Sequence, residues 1–433
     1  MMPDRTKAPE VRPFGFRTLP CDTIERMRNG ATLHTLVGGT QAVGQMSMLF
    51  SGGTHDLANP TVCAMASTLV SEGAGRYSGA EIADKMDFSG AVFLSHSSAH
   101  YTGFGATVLS HRLPDILPLL KSMAEAPEFS ERSIENSRRV LSARLKMDEA
   151  KVMYRAGVEF RKMVYGAGHP QAHVRTQEEI EAVGRDELLG FHASLVKPEG
   201  LHVYLAGGFG EPTVDAVKKF LLSLEAPQPE AEGIVRKEEK PAPEAPGTIF
   251  TEMEGSVQTA VCAGMPSISR TSADFIPLRM AVMALGGYFG SRLMTNIREE
   301  KGLTYNIDAF LAALHDGAAV NIQAQCNSDN VDEVVDEIRK ELRGMAENPP
   351  EGRELERLKL TAMTGLVETL DSPLSISGYR QLELVTGTPR NYFEEQQRII
   401  SELTPEMLGE MASLYLRPDD LRVSIAGPGR GRL

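Results

Sequence analysis

The sequence predicts an α+β protein made of two homologous halves that are joined by a linker rich in proline and glutamate. Residues 225–247 (EAPQPEAEGIVRKEEKPAPEAPG) offer few apolar side chains to bury, which is typical of an exposed linker. The segments on either side of this linker align with each other, which indicates an internal duplication. We therefore predict an N-terminal half over residues 1–224, the linker over 225–247 and a C-terminal half over 248–433.

The duplication is clearest at the end of each half. Residues 195–207 (LVKPEGLHVYLAG) align without gaps with residues 415–427 (YLRPDDLRVSIAG), and the proline and the final Ala-Gly pair are in register. Upstream, four apolar positions recur at the same offset with the spacing of one helix face. They are Ile180, Val183, Leu188 and Phe191, matched by Ile400, Leu403, Leu408 and Met411. Each half is thus predicted to end in a helix, an X-Pro turn and a strand.

The middle of each half also follows a common order. In the first half, residues 103–109 alternate like a strand, a helix follows, Pro127 interrupts the chain and a long helix begins at Glu131. The second half repeats the strand, the helix, the proline break and the long helix at residues 318–325, 331–345, 349–350 and 353–370. Short strands followed by pairs of helices favour a largely antiparallel sheet with helices packed on one face in each half.

Composition and charge exclude several classes of function. The chain has 433 residues with 45 basic and 58 acidic side chains, and its formal net charge is -13. This surplus of negative charge repels phosphate backbones and anionic lipids, so neither nucleic acid nor a membrane is expected as a partner. No apolar run reaches the length of about 18 residues that a membrane span needs. Residues 1–17 lack the apolar core of a signal peptide, so we expect a cytoplasmic protein, or a periplasmic one if a leader was removed.

Most common catalytic motifs are missing from the sequence. The four cysteines lie far apart without a Cys-x-x-Cys pair, which predicts free thiols. No Gly-x-Ser-x-Gly nucleophile motif and no glycine-rich phosphate-binding motif occurs. Two pairs of histidines are four residues apart, His96 with His100 and His169 with His173. Neither pair lies in a helical pattern or encloses a carboxylate, so we interpret all four as exposed or hydrogen-bonded imidazoles rather than metal ligands.

Several motifs, in their order along the chain, resemble those of one enzyme family. They are the glycine-rich turn at residues 50–56 (FSGGTHD), the segment 72–78 (EGAGRYS) and the long motif at 287–305 (GYFGSRLMTNIREEKGLTY). Together with the duplicated halves and the central linker, they resemble the insulinase, pitrilysin and mitochondrial processing peptidase family of zinc metallopeptidases. The resemblance covers nearly the whole chain.

The zinc-binding residues of that family are missing here. The family's inverted motif, His-x-x-Glu-His, corresponds to residues 64–68, which read Ala-Met-Ala-Ser-Thr. The third ligand, a glutamate, corresponds to a position near 143, within Leu-Ser-Ala-Arg at residues 141–144. These side chains are not zinc ligands and do not transfer protons at neutral pH. We therefore expect no metal and no cofactor in this chain, and no peptide hydrolysis by the chain alone.

The resemblance assigns candidate catalytic roles to Arg298 and Tyr305. In the family, an arginine and a tyrosine at these positions hydrogen-bond the scissile carbonyl and stabilise its oxyanion. A forked, permanently charged guanidinium and a phenol are suited to that task. The alternative is that Arg298 pairs with Glu299, Glu300 or a distant acid on a solvated helix, while Tyr305 is half-buried at the start of a strand.

The resemblance also implies the role of a subunit. Some members of the family consist of two homologous chains, one with the zinc and the other with the arginine and tyrosine. We therefore expect the metal-free Arg/Tyr subunit of a heterodimeric zinc metallopeptidase, whose zinc-bearing sister subunit cleaves unfolded peptides. The alternatives are a homodimer and an intramolecular clamshell in which residues 225–247 act as a hinge. The competing interpretation is a non-enzymatic scaffold or peptide-binding subunit that resembles the core proteins of the respiratory bc1 complex. A self-sufficient enzyme with different chemistry is a third and less favoured class.

Overall fold

Two β-sheets form the framework of the structure, a computed structural model that describes residues 15–225, 240–313 and 317–429. Residues 226–239 of the predicted linker lie outside the described residues. The strands are β1 (Thr23–Arg26), β2 (Thr32–Val37), β3 (Val43–Ser51), β4 (Gly73–Ala74), β5 (Tyr77–Ser78), β6 (Val92–Ser97), β7 (Tyr101–Leu109), β8 (His202–Gly207), β9 (Gly247–Glu252), β10 (Thr259–Ser267), β11 (Thr304–Ala313), β12 (Ala318–Cys326) and β13 (Arg422–Gly427). The helices are α1 (Thr61–Leu69), α2 (Gly79–Phe88), α3 (Leu113–Glu125), α4 (Glu131–Glu149), α5 (Val152–Tyr165), α6 (Gln177–Ala182), α7 (Arg185–Leu195), α8 (Glu211–Leu222), α9 (Phe275–Gly286), α10 (Val331–Glu347), α11 (Gly352–Val367), α12 (Pro373–Thr386), α13 (Tyr392–Glu402) and α14 (Pro405–Tyr415).

The two sheets share one strand order. In the first sheet the order is β1-β2-β8-β3-β7-β6, and in the second it is β11-β12-β10-β13-β9. Written from its other edge, the second sheet is β9-β13-β10-β12-β11, which corresponds to β2-β8-β3-β7-β6 of the first sheet. All neighbours are antiparallel except β2 with β8 and β9 with β13. The α+β class and the largely antiparallel sheets are as predicted. The matching order is compatible with a duplication, which stays a prediction together with its boundaries.

The last helix predicted for each half consists of two helices. In the first half α6 and α7 are separated at Gly184, which has an extended backbone and occupies the N-cap of α7. In the second half α13 and α14 are separated at Thr404, whose side chain caps α14, and Pro405 occupies the first turn. The prediction of one continuous helix was wrong because these capping residues start a new helix between two apolar turns. The predicted turn and strand follow in both halves, after Pro198 and Pro418.

One face of each sheet carries most of the helices. Apolar side chains of β3, β7 and β8 form one core with α1, α3, α7 and α8. Those of β10, β11 and β12 form another with α9, α10, α13 and α14. Within the described residues, no helix has both the length and the apolar character that crossing a bilayer requires.

The opposite face of each sheet receives a helix from the other half, which corrects the prediction of helices on one face. Helix α5 of the first half packs on β10 and β13 of the second sheet. Its Ala156 and Phe160 belong to one buried apolar cluster with Ala260 and Cys262 of β10. Helix α12 of the second half packs in turn on β2 and β8. In β10, each residue from Thr259 to Met265 is buried, which shows that this strand is covered on both faces.

A buried charged cluster lies where α12 meets the first sheet. The carboxylate of Asp22 lies 2.8 Å from His34 Nδ1 and 3.8 Å from Arg380, and it also accepts a hydrogen bond from Arg390. Arg380 donates to Glu383 at 2.8 Å. Burial raises the pKa of Asp22, but the hydrogen bonds from His34 and Arg390 outweigh it and hold that pKa well below its usual value. The ionised carboxylate of Asp22 thus links the segment before β1 to Arg380 and Arg390 of the second part of the chain.

Candidate functional site

Arg298 lies on an unusual helical segment. Residues Met294–Glu300 form a π-helix, and the Lys301 N–H donates to the carbonyl of Asn296 at 3.1 Å, five residues back. Gly302 ends the segment with φ +64, a left-handed conformation that favours glycine. Single π-helical turns are rare and are found frequently at functional sites. The motif that the sequence singled out therefore has an irregular backbone at its centre.

Carboxylates of α10 hold the π-helical segment in place. The side-chain amide of Asn296 donates to Glu337 and to Glu341, both at 2.7 Å. Lys301 forms ion pairs with Glu333 at 2.7 Å and with Glu337 at 3.1 Å. The hydrogen bond from Asn296 is the largest cause that lowers the pKa of Glu337, which lies at about 2. The carboxylate is therefore ionised over the whole physiological range, and the segment stays tied to α10.

A second anchor fixes the start of the same segment. The guanidinium of Arg292 donates to both carboxylate oxygens of Glu354, at 2.8 and 3.0 Å. It also donates to the backbone carbonyls of Gly344 and Asn348, at 3.0 and 2.7 Å. Bidentate pairs of this kind define orientation as well as distance. Arg298 therefore projects from a segment that is held on both sides.

Tyr305 lies on a β-bulge. Thr304 pairs with Cys326 and Ile307 pairs with Ala324, so β11 has one residue more than β12 in this interval. The Thr304 hydroxyl donates to the Gln325 carbonyl at 2.6 Å, which fixes the bulge. Bulges re-aim side chains and are common next to active sites. Here the Tyr305 side chain is directed into solvent, and it is 86% exposed.

The structure brings the two candidate catalytic residues together. The guanidinium carbon of Arg298 lies 5.3 Å from the ring centroid of Tyr305 and 4.9 Å from that of Phe289, which is 62% exposed. Cation–π contacts with two rings orient the guanidinium without using its N–H groups. No carboxylate among residues 15–225, 240–313 and 317–429 forms an ion pair with Arg298, although Glu299 and Glu300 are adjacent in sequence. The alternative of an ion-paired arginine beside a half-buried tyrosine therefore does not describe this structure.

A polar cavity of about 460 Å³ lies beside Tyr305. It is lined by Met153, Gln258, Tyr305, Asn306, Asp308, Gln323, Ala324 and Gln325. Burial raises the pKa of Asp308, against a hydrogen bond from Asn306. Met153 belongs to α5, so both halves contribute to the wall. Side-chain amides with both donors and acceptors suit the backbone of an extended peptide.

The residues that correspond to the zinc motif of the resembled family do not fit a metal. Ser67 and Thr68 of α1 donate their hydroxyl protons to the carbonyl of Ala64, at 3.1 and 3.0 Å. Arg144, in the stretch expected to hold the third ligand, is largely exposed and lies 3.7 Å from Asp148. In the described part of the chain, no three His, Cys, Asp or Glu side chains form a group that could hold a metal ion. No step of a reaction is therefore assigned to zinc at these residues of α1 and α4.

The histidines form contacts that the sequence did not reveal. The ring of His55, which the sequence analysis overlooked, has its centroid 5.2 Å from that of His100 and 6.2 Å from that of His169. His100 and His169 are buried rather than exposed, and His169 Nδ1 accepts a hydrogen bond from the Gln171 N–H at 3.1 Å, in agreement with the hydrogen-bonded interpretation. His173 Nε2 lies 2.7 Å from a Glu179 carboxylate oxygen, in agreement with the hydrogen-bonded interpretation. Sequence spacing could not indicate these contacts because they join three separate loops.

Comparison with known proteins shows what part of this chain is similar to them. Residues 182–361, less than half of the chain, match the family model described as the peptidase M16 inactive domain. This part of the chain is similar to the M16 peptidases. It includes the π-helical segment with Arg298 and the start of β11 with Tyr305.

Similarity to M16 proteins extends beyond this domain. An uncharacterized zinc protease of Bacillus subtilis, YmxG, is 24% identical over 363 residues, which cover 82% of this chain and 86% of that protein. The mitochondrial-processing peptidase subunit alpha of Pongo abelii is 22% identical over 368 residues, covering 78% and 68%. The crystal structure of a peptidase M16 inactive domain from Pseudomonas fluorescens has a TM-score of 0.84 at 22% identity and covers 95% of this chain and 99% of its own. That likeness shows the M16 fold, and the curated relatives include a subunit of a processing peptidase.

Proposed function

We propose that this chain is the metal-free Arg/Tyr subunit of a heterodimeric zinc metallopeptidase. In this proposal Arg298 and Tyr305 bind the carbonyl oxygen of a peptide that is cleaved at the zinc of a homologous sister subunit. The observation that carries the proposal is the contact between an unpaired guanidinium and an exposed phenol on two irregular, firmly anchored segments. A chain kept only for its fold would not need either irregularity.

The donors of this pair match the charge that develops in peptide hydrolysis. Attack on the carbonyl moves negative charge onto its oxygen, and donors that are already oriented stabilise that charge. The guanidinium of Arg298 presents several N–H donors in one plane, and the hydroxyl of Tyr305 adds one directional O–H donor. Phe289 and Tyr305 support the guanidinium from their ring faces, so its donors remain available for an acceptor.

The neighbouring cavity supplies a place for the rest of the peptide. Gln323 and Gln325 of β12 and Asn306 of β11 line it together with Tyr305. Their amide groups can pair with the N–H and C=O groups of an extended chain, which every unfolded peptide offers. This supports a preference for unfolded peptides rather than for one side chain.

The exposure of Tyr305 supports the need for a partner. With 86% of its surface in solvent, the phenol competes with water for any acceptor. A sister subunit placed over this surface would exclude water and strengthen the same hydrogen bonds. The chain alone therefore offers oriented donors, and the sister chain would complete the site.

Reconstitution tests the proposal. The chain is expressed with and without a sister chain from the same genome that carries an intact His-x-x-Glu-His motif. We expect both chains to co-purify in equal amounts and to cleave an unstructured peptide only when both are present. Stoichiometric zinc with chelator-sensitive hydrolysis by this chain alone would refute the proposal. A stable complex whose hydrolysis does not depend on this chain would favour the bc1-like scaffold instead.

A further inference from the structure

A second cavity, away from Tyr305, contains two arginines that form no ion pair with the described residues. It has a volume of about 450 Å³ and is bounded by α9, β11, α11, α12 and α13. Arg279 projects from α9, and Arg270 lies in the loop between β10 and α9. They are the charged residues of the lining, which has no aspartate or glutamate. Its wall shares no residue with the cavity beside Tyr305.

Neither arginine is neutralised by the described part of the protein. The Nε atom of each is buried and has no hydrogen-bond partner among the described residues. Acids in the same region are engaged elsewhere, since Asp274 accepts from the Tyr415 hydroxyl at 2.7 Å and Glu383 accepts from Arg380 at 2.8 Å. Both side chains are half-buried, and two neighbouring cations without a counter-ion repel each other. A negatively charged group bound in this cavity would therefore be stabilised by both arginines.

The remaining lining determines what kind of anion fits. The Tyr379 hydroxyl accepts a hydrogen bond from the Gln396 amide, so its own proton is free to be donated. The other walls are mainly apolar and include Met280, Val282, Met283, Leu311, Leu366 and Leu382. The volume falls within the range of small-molecule pockets, roughly 300–1,000 Å³, and exceeds what a bare phosphate ion needs.

We infer that this cavity binds a small organic anion, with its carboxylate or phosphate group on Arg270 and Arg279 and an apolar body against the side chains of α9 and α11. Two guanidinium groups and one phenol line this cavity, and its lining contains no carboxylate that would compete with an anion. The apolar walls favour an anion with an apolar body over an inorganic ion. This site is independent of the proposed peptidase role, since it uses none of the same residues.

Calorimetry on the purified full-length chain tests this inference. The protein is dialysed into a buffer free of phosphate and carboxylates and titrated with hexanoate, hexyl phosphate, inorganic phosphate and uncharged 1-hexanol. We expect saturable binding of at least one hexyl anion and much weaker binding of inorganic phosphate and hexanol. The tighter of the two hexyl anions identifies the preferred head group.

Variants locate the binding to this cavity. Arg279→Gln and Arg270→Gln should each weaken the hexyl anion roughly 10- to 100-fold, the effect of losing a charged hydrogen-bonding group. Arg343→Gln, at an exposed arginine of α10, serves as the matched control and should bind like the wild type. Without ligand, the thermal midpoint of Arg279→Gln should equal or exceed that of the wild type, because the variant removes an unpaired cation. The inference would be overturned if the wild type showed no saturable binding, or if both cavity variants kept the affinity of the wild type. It would also be overturned if inorganic phosphate bound as tightly as hexyl phosphate.

Discussion

The side-chain amide of Asn296 donates a 2.7 Å hydrogen bond to Glu337, and this contact ties the π-helical segment of Arg298 to α10. The same amide reaches Glu341, so one neutral group separates two carboxylates. In the proposed function Asn296 is a positioning residue, since it acts on a substrate only through the placement of Arg298. The first prediction follows from this arrangement.

Asn296→Ala should lower both stability and turnover. The variant leaves two carboxylates of α10 facing each other without the amide, which should cost about 1–3 kcal/mol in the free energy of unfolding. In the reconstituted peptidase we expect kcat to fall while KM changes little, because Arg298 would be misplaced mainly for the transition state. Urea unfolding and steady-state kinetics measure the two effects. Asn136→Ala, at an exposed asparagine of α4, is the control, and an equal loss in both variants would argue against a positioning role.

The buried carboxylate of Asp22 should make stability dependent on pH. Its pKa is below the usual value in the folded protein, so the stabilisation is present above pH 4 and is lost as the pH falls toward the folded-state pKa. Asp22→Asn should cost about 3 kcal/mol at pH 7, since it leaves Arg380 and Arg390 without this partner. The difference between wild type and variant should shrink below about pH 4. A difference that is constant from pH 7 to pH 3 in urea unfolding would disprove the ion-pair explanation.

The exchange of helices between the halves predicts that unfolding is coupled. Phe160 of α5 is 2% exposed and packs against the second sheet. Phe160→Ala should cost about 3–5 kcal/mol and should destabilise both halves in one transition. Val140→Ala, at a valine of α4 that is 67% exposed, should change the free energy of unfolding by less than about 0.5 kcal/mol. Circular dichroism and hydrogen exchange measure the unfolding of the two sheets. Amide protection that persists in the second sheet of Phe160→Ala would contradict the coupling.

The purified chain should contain almost no zinc. With alanine, serine and threonine at positions 64, 67 and 68, we expect less than about 0.1 equivalent per chain. Elemental analysis after dialysis measures this directly. One equivalent of zinc that resists dialysis would contradict the site described for α1.

The sequence predicted the strand, the helix, the proline break and the long helix in the middle of each half because apolar periodicity and prolines are local signals. It also singled out Arg298 and Tyr305, since the motif around them is continuous along the chain. It could not predict the π-helix or the bulge, which depend on tertiary contacts such as those of Asn296 and Thr304. The placement of α5 on the second sheet was missed for a different reason, since an apolar helix face does not specify its partner. The continuous apolar run of β10 was the available signal for it.

The same limit applies to the cavity of Arg270 and Arg279. Each arginine looks like an ordinary surface residue in the sequence. Their lack of counter-ions becomes visible only when the positions of Asp274 and Glu383 are known. Charge pairing is a three-dimensional property, so composition and spacing carry no information about it.

The turnover of Tyr305→Phe in the reconstituted heterodimer tests the central claim most directly. The variant removes one hydroxyl and keeps the ring on which Arg298 stacks, so zinc content, assembly and peptide affinity should stay unchanged. Turnover should fall about 10²- to 10³-fold, the usual effect of losing one oxyanion donor. Tyr77→Phe, at a tyrosine of the first half that also lies beside an arginine, should keep full turnover. Full turnover of Tyr305→Phe in an intact heterodimer would contradict the assignment of Arg298 and Tyr305 as catalytic donors.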